Sequence, residues 1–237
     1  MPYIIIGFLV IMIPLSSYLF FKRGKKKGMD DFLALLIKSG YDAKVKSFKT
    51  QNKIVKKGGI VFVGDSITQD FNVYEYFPDF LVYNRGIGGD TTKGLLERLD
   101  VSIFELEPKA VVLLMGTNDF AVLNDDINTI YDRMKEVCKT ISMRLPNAKI
   151  YLESIYPVNP KMDIMSVGNR KNHHIEKLNE LYQTIPNIIY VDLYHALLDE
   201  NHLLHPKYTV EGLHINHEGY QLISSILKTF IKNETSK

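Results

Sequence analysis

The chain has 237 residues, 46% of them hydrophobic and 24% charged, with a formal net charge of +2. That length carries one α/β domain with an appendage, and a core of this size folds without disulfides or structural metals. The single cysteine, Cys138, excludes an internal disulfide and a thiolate zinc cluster, and the scattered lysines exclude the basic, aromatic-interleaved stripe of a nucleic-acid-binding surface.

The first element is "YIIIGFLVIMIPLSSYLFF", Tyr3 to Phe21, which runs uncharged for nineteen residues. That is enough helix to cross a bilayer. No small-residue cleavage site follows, so residues 1–28 read as an uncleaved membrane anchor ending in the basic cluster Lys22, Arg23, Lys25, Lys26 and Lys27. By the positive-inside rule the rest of the chain faces the cytoplasm; the same cluster also suits anionic headgroups. Residues 29–57 follow as a helical linker, with Phe32, Leu33, Leu35, Leu36, Ile37, Val45 and Phe48 loosely at helical spacing and a break expected near Gly40.

From residue 58 to 237 the pattern changes. Short apolar runs at 60–63, 80–84, 110–115, 149–154 and 187–193 alternate with amphipathic segments near 91–107, 125–144, 168–185 and 217–232. Continuous aliphatic runs fit strands buried on both faces, and alternation with helices implies parallel pairing. The expected fold is α/β, a three-layer αβα sandwich around a five-stranded parallel sheet. Ligands in such sheets bind beyond the carboxyl ends of the strands, where "GDS", "NRGIGGD" and "GTND" fall.

Four stretches carry groups able to do chemistry. Ser66 lies just after the first strand at the start of a helix, a setting for an activated hydroxyl or for an ordinary helix cap. In "NRGIGGDTT", residues 84–92, the glycines permit close approach of a ligand, or form a plain turn. It is no dinucleotide fingerprint, because Thr91 stands where the third glycine should be, and no G-K-[ST] follows for a P-loop. Asn118 in "LLMGTNDF" can present an amide to the same cleft or simply form a turn. In "YTVEGLHINHEGYQLI", Glu211 stands three before His214. A carboxylate there can fix the histidine tautomer and leave Nε2 as a base, although such pairs also occur as surface decoration. His173, His174, His195, His202, His205 and His217 have no comparable setting and form no H-E-x-x-H zinc site.

The order and spacing of these blocks, from about Ile60 to Ile231, resemble the SGNH/GDSL hydrolase superfamily. "NRGIGGDTT" and "YTVEGLHIN" look closest to its platelet-activating-factor acetylhydrolase-like and bacterial lysophospholipase or acetylesterase branch. The resemblance implies a flavodoxin-like SGNH fold and a serine ester hydrolase. It makes Ser66 the nucleophile and His214 the general base, with Glu211 orienting it. The Ser66 and Gly89 amides and the Asn118 side chain become the oxyanion hole, and Asp65 shapes the turn. It implies no cofactor and no metal, and a small acetylated or acylated ester as substrate. One position departs from the pattern: the family usually has Asp where this chain has Glu211, which shifts the carboxylate by roughly an ångström. That departure leaves open a membrane-tethered binding module with weak or no turnover. Specificity is expected from the loop 155–168, with Met162, Ile164 and Met165 as acyl-chain contacts or as ordinary loop packing.

Overall fold

The computed structural model describes residues 2–232; the side chains of 2–21 and of Arg23, Lys26, Asp30, Asp31 and Leu33 lie outside that description. Helix α1, Pro2–Gln51, is continuous over 50 residues. The break expected near Gly40 is absent. A lone glycine costs a helix only about 1 kcal/mol, and the good helix formers on either side carry the chain through it. Among the described residues no helix is long and apolar enough to cross a membrane. The stretch Tyr3–Phe21, on which the anchor expectation rests, lies outside the described side chains.

The chain divides into two units, and the second begins at Ala43, so the end of α1 belongs to the α/β fold. There Phe48 is buried, and Asn52 just beyond α1 donates to the Val101 carbonyl at 2.7 Å and accepts from Arg85 at 2.9 Å.

Five parallel strands follow: β1 Ile60–Gly64, β2 Val82–Gly86, β3 Ala110–Leu114, β4 Lys149–Glu153 and β5 Ile189–Val191. They lie in the order β2-β1-β3-β4-β5, the flavodoxin-like doubly wound arrangement. Alternate residues supply two cores. Val61, Val63, Val111, Leu113, Ile150 and Leu152 face α4 Thr92–Glu97, α5 Leu99–Ser102, α6 Ile127–Arg144 and α8 Asn172–Tyr182. Phe62, Val112, Leu114 and Tyr151 face α2 Ser66–Asp70, α3 Val73–Tyr76 and α9 His217–Ile231. Because both sheet faces are covered, the central strands β1 and β3 read as unbroken apolar runs, buried at every position.

Register fixes what emerges at the top of the sheet. Gly64 of β1 pairs with Gly86 of β2 on one side and Leu114 of β3 on the other. The three strands therefore end level, and the segments after them leave from one edge at the switch point between β1 and β3.

The helical stretch expected near 91–107 is three short pieces: α4, α5 and a 3₁₀ turn, Phe104–Leu106. Arg98, between the first two, turns inward and is buried, which interrupts the helix where a continuous apolar stripe was expected. Cys138 is buried in α6, where desolvation pushes its thiol up to about 12. The loop expected at 155–168 contains a short helix, α7 Ile164–Val167.

Candidate functional site

At the end of β1 the capping role lies with a residue other than Ser66. The residue that caps α2 is Asp65, whose side chain accepts from the Ile67 amide at 2.9 Å. Ser66 is the first helical residue, and its hydroxyl meets His214 Nε2 at 3.0 Å. Among the described residues the other oxygen of Asp65 has no hydrogen-bond partner, and complete burial raises this carboxyl to about 7, against the pull of the Ile67 amide and Arg170.

His214 arrives from the far end of the chain on a loop closed by the bridge between Thr209 and Ile215. Thr209 Oγ1 donates to the His214 carbonyl at 2.6 Å and accepts from the Gly212 amide at 2.9 Å. Gly212 has φ +97°, a conformation that side chains with a Cβ rarely adopt. The turn brings Glu211 back on His214: Oε1 accepts from the histidine backbone N–H at 3.0 Å and meets Nδ1 at 2.5 Å. With Nδ1–H given to the carboxylate, the Nε2 lone pair faces the Ser66 hydroxyl. The His214 side chain is 36% exposed and that of Glu211 21%, so the hydrogen-bonded chain opens to solvent at one end.

The glycine loop after β2 lies against Ser66. A Cβ on Gly88 would stand 4.0 Å from that of Ser66, and the Gly88 amide donates to Gln69 Oε1 at 3.1 Å. Gly89, at φ +74°, turns the chain so that the Asp90 amide donates back to the Ile87 carbonyl at 3.1 Å. Among the described residues the Ser66 and Gly89 amides have no acceptor in the protein. Asn118, 5% exposed, follows β3 and precedes a single π turn, Asp119–Leu123, a distortion common at functional sites. Its Nδ2 donates to the Asp90 carbonyl at 3.0 Å.

Three supports were not legible in the sequence. Arg98 donates to Asp90 Oδ2 at 2.7 Å, to the Arg85 carbonyl at 2.8 Å and to the Gly64 carbonyl at 3.0 Å, tying the ends of β1 and β2 to the glycine loop. Burial raises the Asp90 carboxyl, and Arg98 opposes that shift. Asp119 accepts from Thr92 Oγ1 at 2.5 Å; burial lifts its carboxyl to about 6. Arg170 bonds the Asn118 side chain from behind at 2.6 Å. No local pattern marks these arginines, because the contacts that tie them to the site, Arg98 to the Gly64 carbonyl and Arg170 to Asn118, join residues distant in sequence.

Asp192 and His195 repeat the acid-x-x-His spacing, a pair the sequence reading passed over, with Nδ1 and Oδ2 2.6 Å apart. The pair is largely exposed and among the described residues no hydroxyl meets the other nitrogen, so it forms a surface contact. His217 instead bonds Tyr76 at 2.6 Å. Among the described residues no three His, Cys, Asp or Glu side chains are grouped to hold a metal ion.

This sheet order and strand-end cluster define a class, and the chain belongs to the GDSL-like lipase/acylhydrolase family, whose model matches residues 62–222. The family comprises hydrolases of carboxylic esters. The chain is 26% identical over 181 residues to platelet-activating factor acetylhydrolase IB subunit alpha2 of Homo sapiens, covering 74% of this chain and 77% of the relative. It is 27% identical over 184 residues to N-acylneuraminate cytidylyltransferase of Escherichia coli O18:K1:H7, covering 77% of this chain but only 42% of that protein. Among solved structures, a candidate platelet activating factor from Streptococcus pneumonia superposes with TM-score 0.81 at 29% identity, over 85% of this chain and 97% of the other.

Proposed function

We propose that the protein is a serine ester hydrolase working through an acyl-enzyme on Ser66. The observation that carries this reading is the continuous hydrogen-bonded series Ser66–His214–Glu211 at the strand-end edge of the sheet. His214 Nε2 takes the hydroxyl proton as Ser66 Oγ attacks the ester carbonyl, and Glu211 holds the imidazolium that forms. The oxyanion meets three donors: the Ser66 and Gly89 amides and Asn118 Nδ2. His214 then protonates the departing alcohol, and the acyl group stays on Ser66. Water, deprotonated by His214, attacks the acyl carbon and releases the acid and free Ser66.

The binding-only alternative rested on the extra methylene of Glu211. No observation favours it, since Glu211 bonds both the Nδ1 and the backbone amide of His214. The substrate is a small acetylated or acylated ester. An apolar acyl or alcohol portion suits the exposed Val122 and Val210 beside the site residues, and the exposed Met162, Ile164 and Met165 of the segment that packs on the Gly212 turn. The segment Tyr3–Phe21 anchors the chain, with the catalytic unit on the cytoplasmic side. Carbonate-resistant membrane fractionation tests the anchor, and protease protection tests the side.

Steady-state hydrolysis of p-nitrophenyl acetate and of a longer-chain ester tests the reaction, using the full chain. Turnover should vanish in Ser66→Ala. In Asn118→Ala it should fall on the order of a hundredfold or more, the usual cost of one lost oxyanion donor. Equal rates for the wild type and Ser66→Ala would reject the mechanism.

A further inference from the structure

Arg170 is 8% exposed, and its guanidinium is spent on neutral acceptors. Nε donates to the Thr117 carbonyl and Oγ1, both at 3.1 Å. Nη1 donates to the carbonyls of Val167 at 2.8 Å and Ser166 at 3.3 Å. Nη2 donates to Asn118 Oδ1 at 2.6 Å. None of these partners is a carboxylate. Asp65, acting through space, is the one acid with a resolved influence on Arg170, and it partly offsets the effect of burial. A buried cation without a paired anion is an expensive way to tie a loop down, so its position asks for another explanation.

We propose that Arg170 is a positioning residue of the oxyanion site, acting through Asn118; the inference rests on the reading of Asn118 as an oxyanion donor. A guanidinium only donates, so the Asn118 atom it meets must be the oxygen. The Asp90 carbonyl only accepts, so the atom facing it at 3.0 Å must be the nitrogen. Rotating the amide by half a turn would set donor against donor and acceptor against acceptor. The side chain is therefore locked with one Nδ2 proton on Asp90 and the other free for the substrate oxygen. A charged donor on the amide oxygen also polarises the group and strengthens its N–H as a donor at this buried position. The positive charge lies one residue behind the place where negative charge develops, and its orientation costs nothing during reaction.

The same guanidinium holds the last turn of α7, so a purely structural role must be separated from a catalytic one. The test is the steady-state kinetics of p-nitrophenyl acetate hydrolysis by the full chain, comparing Arg170→Met, Arg170→Lys, Asn118→Ala and the double variant Asn118→Ala/Arg170→Met. A misoriented donor should lower kcat in Arg170→Met by about tenfold to a hundredfold, with KM little changed. Arg170→Lys should recover part of the loss. The double variant should be no worse than Asn118→Ala alone, because Arg170 then has no amide left to orient. If Arg170→Met does not fold, as judged by loss of a cooperative melting transition, Arg170→Lys against Asn118→Ala/Arg170→Lys supplies the same comparison.

Unchanged kcat in the folded arginine variants overturns the inference, as do losses that multiply in the double variant. A rise in KM without a fall in kcat also overturns it. Wild-type kcat in Asn118→Ala removes the oxyanion reading itself, which distinguishes failure of the foundation from failure of this inference alone.

Discussion

The sequence leaves Ser66 two roles, helix cap or activated hydroxyl, and the neighbouring Asp65 takes the first of them. Asp65 caps α2, which leaves the Ser66 hydroxyl for His214. The pairing of Glu211 with His214 was legible because three-residue spacing places a carboxylate within reach of the ring. Their approach to Ser66 was not, since it spans 148 positions and depends on the whole sheet. In the proposed triad Glu211 stands where the family usually has Asp, and both its bonds to His214 use the same oxygen. Glu211→Asp should therefore lower kcat on p-nitrophenyl acetate by about tenfold, because the shortened carboxylate withdraws from Nδ1. Glu211→Gln should cost on the order of a hundredfold or more, since an amide cannot stabilise the imidazolium. Wild-type kcat in both variants would show that a group other than Glu211 orients His214.

Each element delivers its residue through a short, constrained exit. The level ends of β1, β2 and β3 bring Ser66, the glycine loop and Asn118 to one edge, as the alternation of apolar runs implies. The Gly212 turn is less visible in sequence, because a glycine between Glu211 and Leu213 does not reveal what packs on it. A Cβ there would lie 2.2 Å from the Asn159 carbonyl oxygen, at a φ that already disfavours any side chain. Gly212→Ala should destabilise the protein by about 2–3 kcal/mol. It should also reduce kcat by shifting Glu211 and His214, as thermal melts and ester kinetics on the same sample would show. A variant with unchanged melting temperature and turnover would mean that the loop tolerates the shift. Arg98 illustrates the converse failure of sequence reading: a charged residue in a helical pattern looks exposed, yet here it is buried against Asp90 and two strand-end carbonyls.

For the molecule as a whole, the sandwich was legible because both faces of the sheet are buried, while the acids beneath the site were not. Asp119, Asp65 and Glu153 are lifted by burial to about 6, about 7 and about 8. Each keeps its proton to a higher pH in the folded state than in the unfolded chain, which releases it near pH 4. Their stabilising contribution is complete below that pH and is lost as pH rises through about 6 to 8. The urea midpoint should be higher near pH 5 than near pH 8, with a smaller difference in Glu153→Gln. A midpoint that rises with pH, or an unchanged slope in the variant, would contradict this assignment.

The proposed reaction requires Ser66 to be an activated nucleophile. The most direct measurement is the intact mass of the full chain after brief exposure to a fluorophosphonate, alongside Ser66→Ala and His214→Ala. One adduct that maps to Ser66, is absent from Ser66→Ala and forms far more slowly in His214→Ala is the predicted result. Labelling of Ser66→Ala at the wild-type rate, or no adduct on folded wild-type protein, would contradict it.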